Sequence, residues 1–203
     1  MKALRERFVC GLDVGTTKVC AVVGKQEPSG EISIVGLGLV PSDGMQRGVV
    51  VDPKAATESI RACLRKAEQA SGITIARVWL GLTGGHISSV NVRGRAYVSG
   101  PQVTQADLDH AIDAARGAVA VTSDRRIIQH TVRDFVLDGE RGIRRPLGMV
   151  GKQLDVNLHV VTGKASVVDN LLSCVQAAGV QVAEQALEPP ATARAVLTEA
   201  ELT

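Results

Sequence analysis

The feature that most constrains this chain is an interruption. From Phe8 to Leu82 the apolar segments run strand, strand, strand, helix, strand; at "TGGH", Thr83 to His86, that rhythm stops, and it resumes only near Lys164. An α/β layer that halts and restarts implies a host domain carrying a second module between two of its strands, because insertions are tolerated where the loop ends lie close together.

In the host, Phe8 to Val14, Lys18 to Gly24 and Glu31 to Leu39 are rich in Val, Ile and Leu and are separated by "GTT" and "KQEPSG", which predicts an antiparallel meander. A short fourth strand is expected at Gly48 to Val51. Asp52 is a good N-cap and Pro53 suits a first helical position. Ala56, Ile60, Cys63, Leu64 and Ala67 then recur at the helical period until Gly72 ends the helix. Ala76 to Leu82, "ARVWLGL", reads as the fifth strand.

In the inserted module, of roughly 75 residues, His86 to Gly100 alternates like a hairpin turning at Arg93 to Arg95. Thr104 and Asp107 form a capping box for a helix with Leu108, Ala111, Ile112, Ala115 and Val119 on one face. Strands at Ile127 to Leu137 and Lys152 to Val161 enclose a charged loop, Asp138 to Gly151. The host then returns with a helix from Lys164 to Ala178, lined by Val168, Leu171, Leu172 and Val175, a strand "VQVAEQAL", and a last helix starting at the prolines of "EPPATARAVL".

At 203 residues the chain buries a sizeable core without staples, and with only Phe8, Trp79, Tyr97 and Phe135 as aromatics that core is aliphatic. Four aromatics and a net charge of +2 argue against stacking platforms and basic footprints, so no nucleic-acid partner is expected. The basic spots "RERF" and "ERGIRRP" are short and mixed with acids, as in solvated loops. Cys10, Cys20, Cys63 and Cys174 lack zinc-site spacing and read as small buried hydrophobes. His86, His110, His130 and His159 likewise lack metal-like spacing. No secretory leader pattern precedes the first strand, and no apolar run reaches the roughly 20 residues of a membrane span. A reducing cytoplasm is the expected setting.

The chemistry concentrates in "VCGLDVGTTKVCAVVG", Val9 to Gly24. With Gly15 and Thr16 as central residues, Gly15 supplies the positive φ of a type II′ turn, Val14 pairs with Thr17, and Asp13 lies opposite Lys18. A row of amides at Gly15, Thr16 and Thr17 beside a lysine can cradle phosphate, and the carboxylate can hold magnesium through water. The same spacing also suits an ordinary turn with a surface Asp–Lys pair worth under about 1 kcal/mol. Neither a G-x-x-x-x-G-K-[ST] nor a strand-to-helix G-x-G-x-x-G occurs.

"GLDVGTTKV" resembles the first phosphate loop of the actin, Hsp70 and sugar-kinase superfamily. Together with "GMQRGVVVD", "ESIRACLRKAE", "VWLGLTGGHI", "RPLGMVG", "LHVVTG" and "ALEPPATARAVLTE", it is similar to the FtsA family of bacterial cell-division proteins over nearly the whole chain. The resemblance implies an α/β, actin-like (ribonuclease H-like) subdomain 1A over residues 1–84, interrupted by a small α+β SHS2 (1C) subdomain over 85–161 and continued over 162–203. The second lobe, with its D-x-G-G-G-T phosphate loop, adenosine site, main FtsZ docking site and C-terminal membrane-binding helix, would lie outside this sequence.

Carried over residue by residue, the resemblance implies that Gly15, Thr16, Thr17 and Lys18 contact the phosphates of ATP and that Asp13 faces Mg2+ through water. It implies a scaffold that binds ATP, self-associates into filaments and tethers FtsZ filaments to the cytoplasmic face of the membrane at the division septum. The inserted subdomain would recruit later division proteins. No catalytic residue is identified, and at most a weak ATPase is expected of the full-length protein. A sugar or acid kinase, or a pilus-assembly actin-like scaffold, is the alternative within the superfamily.

Overall fold

The computed structural model describes residues 7–119, 122–198 and 200–201. The start of the "RERF" run and the polar end at Thr203 lie outside them. The chain divides into two compact units: Met1–His86 with Ser166–Thr203, and Ile87–Ala165.

The first unit is built on a five-stranded sheet. Its strands are β1 (Arg7–Val14), β2 (Lys18–Gln26), β3 (Ile32–Pro41), β6 (Arg77–Leu82) and β11 (Gln181–Leu187). Their order is β11-β6-β1-β2-β3, with β1, β2 and β3 an antiparallel meander and β6 parallel to both β1 and β11. One face carries Leu12, Val14, Val19, Ala21 and Val23, all buried, beneath helix α1 (Pro53–Ser71). Two glycines set the contact between helix and strand. A methyl added at Gly38 would lie 2.1 Å from the Cys63 carbonyl oxygen, and one at Gly36 would lie 2.9 Å from that of Ala67. Asp52 caps α1 through the amides of Lys54 and Ala55, and Gly72 closes it at φ 70°.

Strand register puts Gly11 beside Val22 and Trp79, Val22 beside Leu37, and Cys20 beside Leu39. On that opposite face Val9, Leu37, Leu39 and Trp79 are exposed.

Helix α3 (Ala165–Ala177) buries Val168, Leu171, Cys174 and Val175, so Cys174 stands in the stripe where Leu172 is expected. Arg61 of α1 donates to the Ala177 carbonyl at 2.8 Å. Helix α4 (Glu188–Val196) begins directly after β11, at the proline pair.

In place of the single strand expected at Gly48 to Val51, Met45–Gln46 (β4) and Val49–Val50 (β5) form a two-rung hairpin turning at Arg47 and Gly48. The arrangement follows from positive φ at both turn residues, 51° and 77°, the geometry a tight hairpin requires.

The second unit is a four-stranded antiparallel sheet, β7 (Ile87–Tyr97), β10 (Gln153–Lys164), β8 (Arg125–Leu137) and β9 (Glu140–Ile143), in that order. Helix α2 (Gln105–Gly117) covers one face, packing Leu108, Ala111 and Ala115 on Ala96, Leu154, Val156, Leu158 and Val160. The capping box of Thr104 and Asp107 is formed.

The hairpin expected at His86 to Gly100 is instead one strand of 11 residues. Gly94 is a contact glycine rather than a turn glycine. A methyl there would lie 2.1 Å from the Ala111 carbonyl oxygen and 2.3 Å from the Ala115 amide, so the bare backbone is what lets α2 approach. Conversely, the segment from Asp138 to Gly151 contains β9, entered through Asp138 and Gly139 at φ 49° and 94°.

Candidate phosphate site

Strands β1, β3, β6 and β11 run the same way, so their carboxyl ends share one edge of the sheet. That edge is where open α/β sheets place their ligands. The residues following those ends are Gly15, Ser42, Thr83 and Glu188.

The turn after β1 differs from the expected one by a single residue. Val14 pairs with Val19 and Asp13 with Cys20, so the turn centres on Thr16 and Thr17 and is closed by Gly15 donating to the Lys18 carbonyl at 3.0 Å. None of the three residues has positive φ. Gly15 is needed for a different reason: a Cβ there would sit 3.0 Å from the Lys18 carbonyl oxygen. The Gly15 amide is therefore spent inside the turn, and the amides of Thr16 and Thr17 have no acceptor among the described residues.

Asp13 and Lys18 are diagonal neighbours instead of direct partners. Lys18 is two residues from Cys20, and Cys20 faces Asp13, so period-2 alternation still puts both side chains on one face. Cys20 registers both: burial first and Asp13 second push its thiol pKa up, while Lys18 pulls it down.

Sequence reasoning missed Glu188. This half-buried residue lies beside Asp13 and Thr83, and its pKa is raised by burial first and then by the Asp13 charge, while Thr83 opposes the rise. Gly81 leaves it room, since a Cβ there would lie 3.4 Å from Glu188 Cγ and Oε1. The available signal was positional: an acid in the first turn of a helix that follows a parallel strand.

Two neighbouring carboxyl groups form an oxygen-donor set that suits a hard cation. Among the described residues no group of three acidic, His or Cys side chains could hold a metal by itself. Magnesium in nucleotide sites commonly takes one or two carboxylates and completes its shell from phosphates and water, so the pair fits that use. Of the four free cysteines, burial lifts the pKa of Cys10 to about 11 and that of Cys63 to about 12.

An antiparallel meander, a crossover helix, parallel strands on both sides of a break and a separate α+β unit in that break define an actin-like α/β protein with an SHS2 insertion. Residues 84–162 match the SHS2 domain inserted in FtsA. The chain is 37% identical over 197 residues to the cell-division protein FtsA of Neisseria meningitidis, covering 97% of this chain and 47% of that protein. It is 38% identical over 195 residues to the FtsA of Pseudomonas aeruginosa, with 96% and 46% covered, and 31% identical over 201 residues to that of Escherichia coli K12, with 99% and 48% covered. Over nearly all of its length the chain matches FtsA cell-division proteins, and it spans about half the length of these relatives.

Among solved structures, a chain of the PilM–PilN type IV pilus biogenesis complex shares the fold at a TM-score of 0.62 and 16% identity, over 92% of this chain and 49% of that one. No helix among the described residues is long and apolar enough to cross a membrane, which leaves β-barrel spans unaddressed.

Proposed function

We propose that this chain carries the first half of the ATP site of a bacterial cell-division scaffold. The observation that supports this most directly is the convergence of Asp13, Lys18 and the Thr16 and Thr17 amides at the carboxyl edge of the sheet. The free amides and the Lys18 ammonium donate to phosphate oxygens. Gly15 clears the space beside them, and Asp13, with Glu188 next to it, faces Mg2+ through water. Magnesium bound there neutralises phosphate charge. In this reading ATP serves as a structural ligand, hydrolysed at most slowly by the full-length protein.

In this reading the whole protein self-associates head to tail, because heterologous contacts that do not close produce filaments. It tethers FtsZ filaments to the cytoplasmic face of the membrane at the septum through a membrane-binding helix outside this sequence. The SHS2 unit contributes filament contacts and recruits later division proteins. The match to FtsA proteins and the SHS2 match support this assignment.

The test is Lys18→Ala in a family-length protein carrying this half. ATP affinity by calorimetry falls at least tenfold, and ATP-dependent recruitment of FtsZ filaments to vesicles falls with it. Unchanged affinity reduces the hairpin to turn structure.

A further inference from the structure

The phosphate turn is held by a second element that the reading above leaves unused. The segment from Ser42 to Gly48 grips both threonines: the Ser42 amide donates to the Thr17 carbonyl at 3.1 Å, and the Gly48 amide donates to the Thr16 hydroxyl at 3.2 Å.

This clasp is anchored at its base. Met45 is buried, and the Gly44 carbonyl accepts from Val51 and Asp52 at 2.8 and 3.1 Å. A Cβ at Gly44 would fall 2.3 Å from the Asp52 carbonyl oxygen, so the strand meets the start of α1 without a side chain between them. At the tip a Cβ on Gly48 would lie 3.3 Å from the Thr83 carbonyl oxygen, and one on Gly84 would lie 3.8 Å from the Arg47 carbonyl oxygen. The β4–β5 turn is therefore wedged between the phosphate turn and the residues that follow β6.

Arg47 stands at that tip with φ 51°, a backbone conformation that a long side chain seldom adopts and that recurs at ligand-binding sites. Its side chain is exposed and makes no hydrogen bond or ion pair with a described residue. Across the site, Lys18 is one cation facing the carboxyl pair of Asp13 and Glu188. A triphosphate retains excess negative charge even with a divalent cation, so the site as described lacks a positive group. A guanidinium is suited to fill that role, since its fork matches phosphate oxygens two at a time.

We propose that Arg47, presented by the β4–β5 turn, is a phosphate-binding residue that makes the site favour a nucleoside triphosphate over the diphosphate. The proposal rests on the ATP reading of the hairpin. The Gly48–Thr16 bond links the arginine's turn to the phosphate turn, so phosphate bound on one side is sensed by the other.

The test is an amide chemical-shift titration of this chain at low ionic strength with ATP, ADP and tripolyphosphate, each with Mg2+. Arg47→Asn is the informative variant, because asparagine tolerates positive φ and removes only the charge and the fork. In the wild type the Thr16, Thr17 and Gly48 amides shift together, and ATP and tripolyphosphate bind more tightly than ADP. In Arg47→Asn the affinity for ATP and tripolyphosphate falls at least fivefold, that for ADP falls less, and Arg47→Lys recovers part of the loss. Lys18→Ala weakens all three ligands. Unchanged preference in Arg47→Asn, alongside weakening in Lys18→Ala, overturns the proposal and leaves the ATP reading in place. Absence of ligand-induced shifts at Thr16 and Thr17 in the wild type overturns both.

Discussion

Asp13, in β1, and Glu188, at the first turn of α4, lie side by side at the carboxyl edge of the sheet, close enough for the Asp13 charge to raise the Glu188 pKa. Burial is the larger cause of that rise and the Asp13 charge the second, and a testable sign follows. The folded state holds the Glu188 proton to higher pH than the unfolded chain does. The contact therefore stabilises below the ordinary glutamate pKa of about 4.3 and is lost as pH rises through the raised value. Glu188→Gln keeps a donor toward Asp13 and abolishes the titration. Without divalent cation it raises Tm by about 1 °C at pH 7, and the difference vanishes near pH 4. Thermal scans by circular dichroism at the two pH values check this, and a lower Tm at pH 7 would contradict it.

The proposed ATP site has one phosphate turn in this chain, which spans about half of its relatives' length. By itself it binds ATP more weakly than about micromolar, because a single turn with two free amides and two cations supplies few of the contacts that such affinity needs. Isothermal calorimetry on residues 1–203 decides the matter, micromolar binding being the contrary result.

Gly94→Ala drives a methyl into the backbone of α2 and lowers the stability of the SHS2 unit by about 3 kcal/mol, the upper part of the usual overpacking range. The neighbouring exposed change Val90→Ala costs under about 0.5 kcal/mol. Urea unfolding followed in both variants separates the two costs.

Asp155 is 1% exposed and is bridged by Arg93 and Arg95, the Arg95 Nε contact being 2.7 Å. Burial pushes its pKa up, yet the bonds from Arg95 and Arg93 outweigh that and the net direction is down. Asp107 is held low as well, by the hydroxyls of Ser99 and Thr104. Both acids bind protons less readily when folded, so their contribution is present above the ordinary aspartate pKa of about 3.9 and is lost as pH falls through that value and below. Asp155→Ala costs about 1 kcal/mol at pH 7, because the two arginines that lose their counter-charge are half exposed and stay solvated, and the penalty shrinks toward pH 3. Denaturation at the two pH values measures it.

Residues 85–161 contain a buried core under α2 that is aliphatic apart from Phe135. Expressed alone, this segment shows slowed amide exchange at Leu154 to Val160, and uniformly fast exchange there would place the boundary elsewhere.

Much of the host layer was legible because its signals are local. Asp52, Pro53 and Gly72 bound α1 where their backbone chemistry requires, and the alternation of Leu12, Val14, Val19 and Ala21 gives the buried face. The errors share a cause. Arg93 to Arg95 read as a turn and Gly15 as a positive-φ residue, whereas in both places glycine serves close approach of another backbone, which depends on packing partners distant in sequence or across a hairpin. The shift of the turn by one residue left Asp13 and Lys18 on one face only because they became diagonal rather than facing neighbours. Glu188 and the Arg47 turn were not read as site residues, because only the sheet order brings the ends of β1, β6 and β11 and the β4–β5 turn to one edge.

The open face of the host sheet has a practical corollary. Trp79, the only tryptophan of the chain, lies 47% exposed there beside Gly11, among Val9, Leu37 and Leu39. Its emission is thus a built-in gauge of that surface. Whatever comes to cover those strands will shift the fluorescence toward the blue and shield it from iodide quenching.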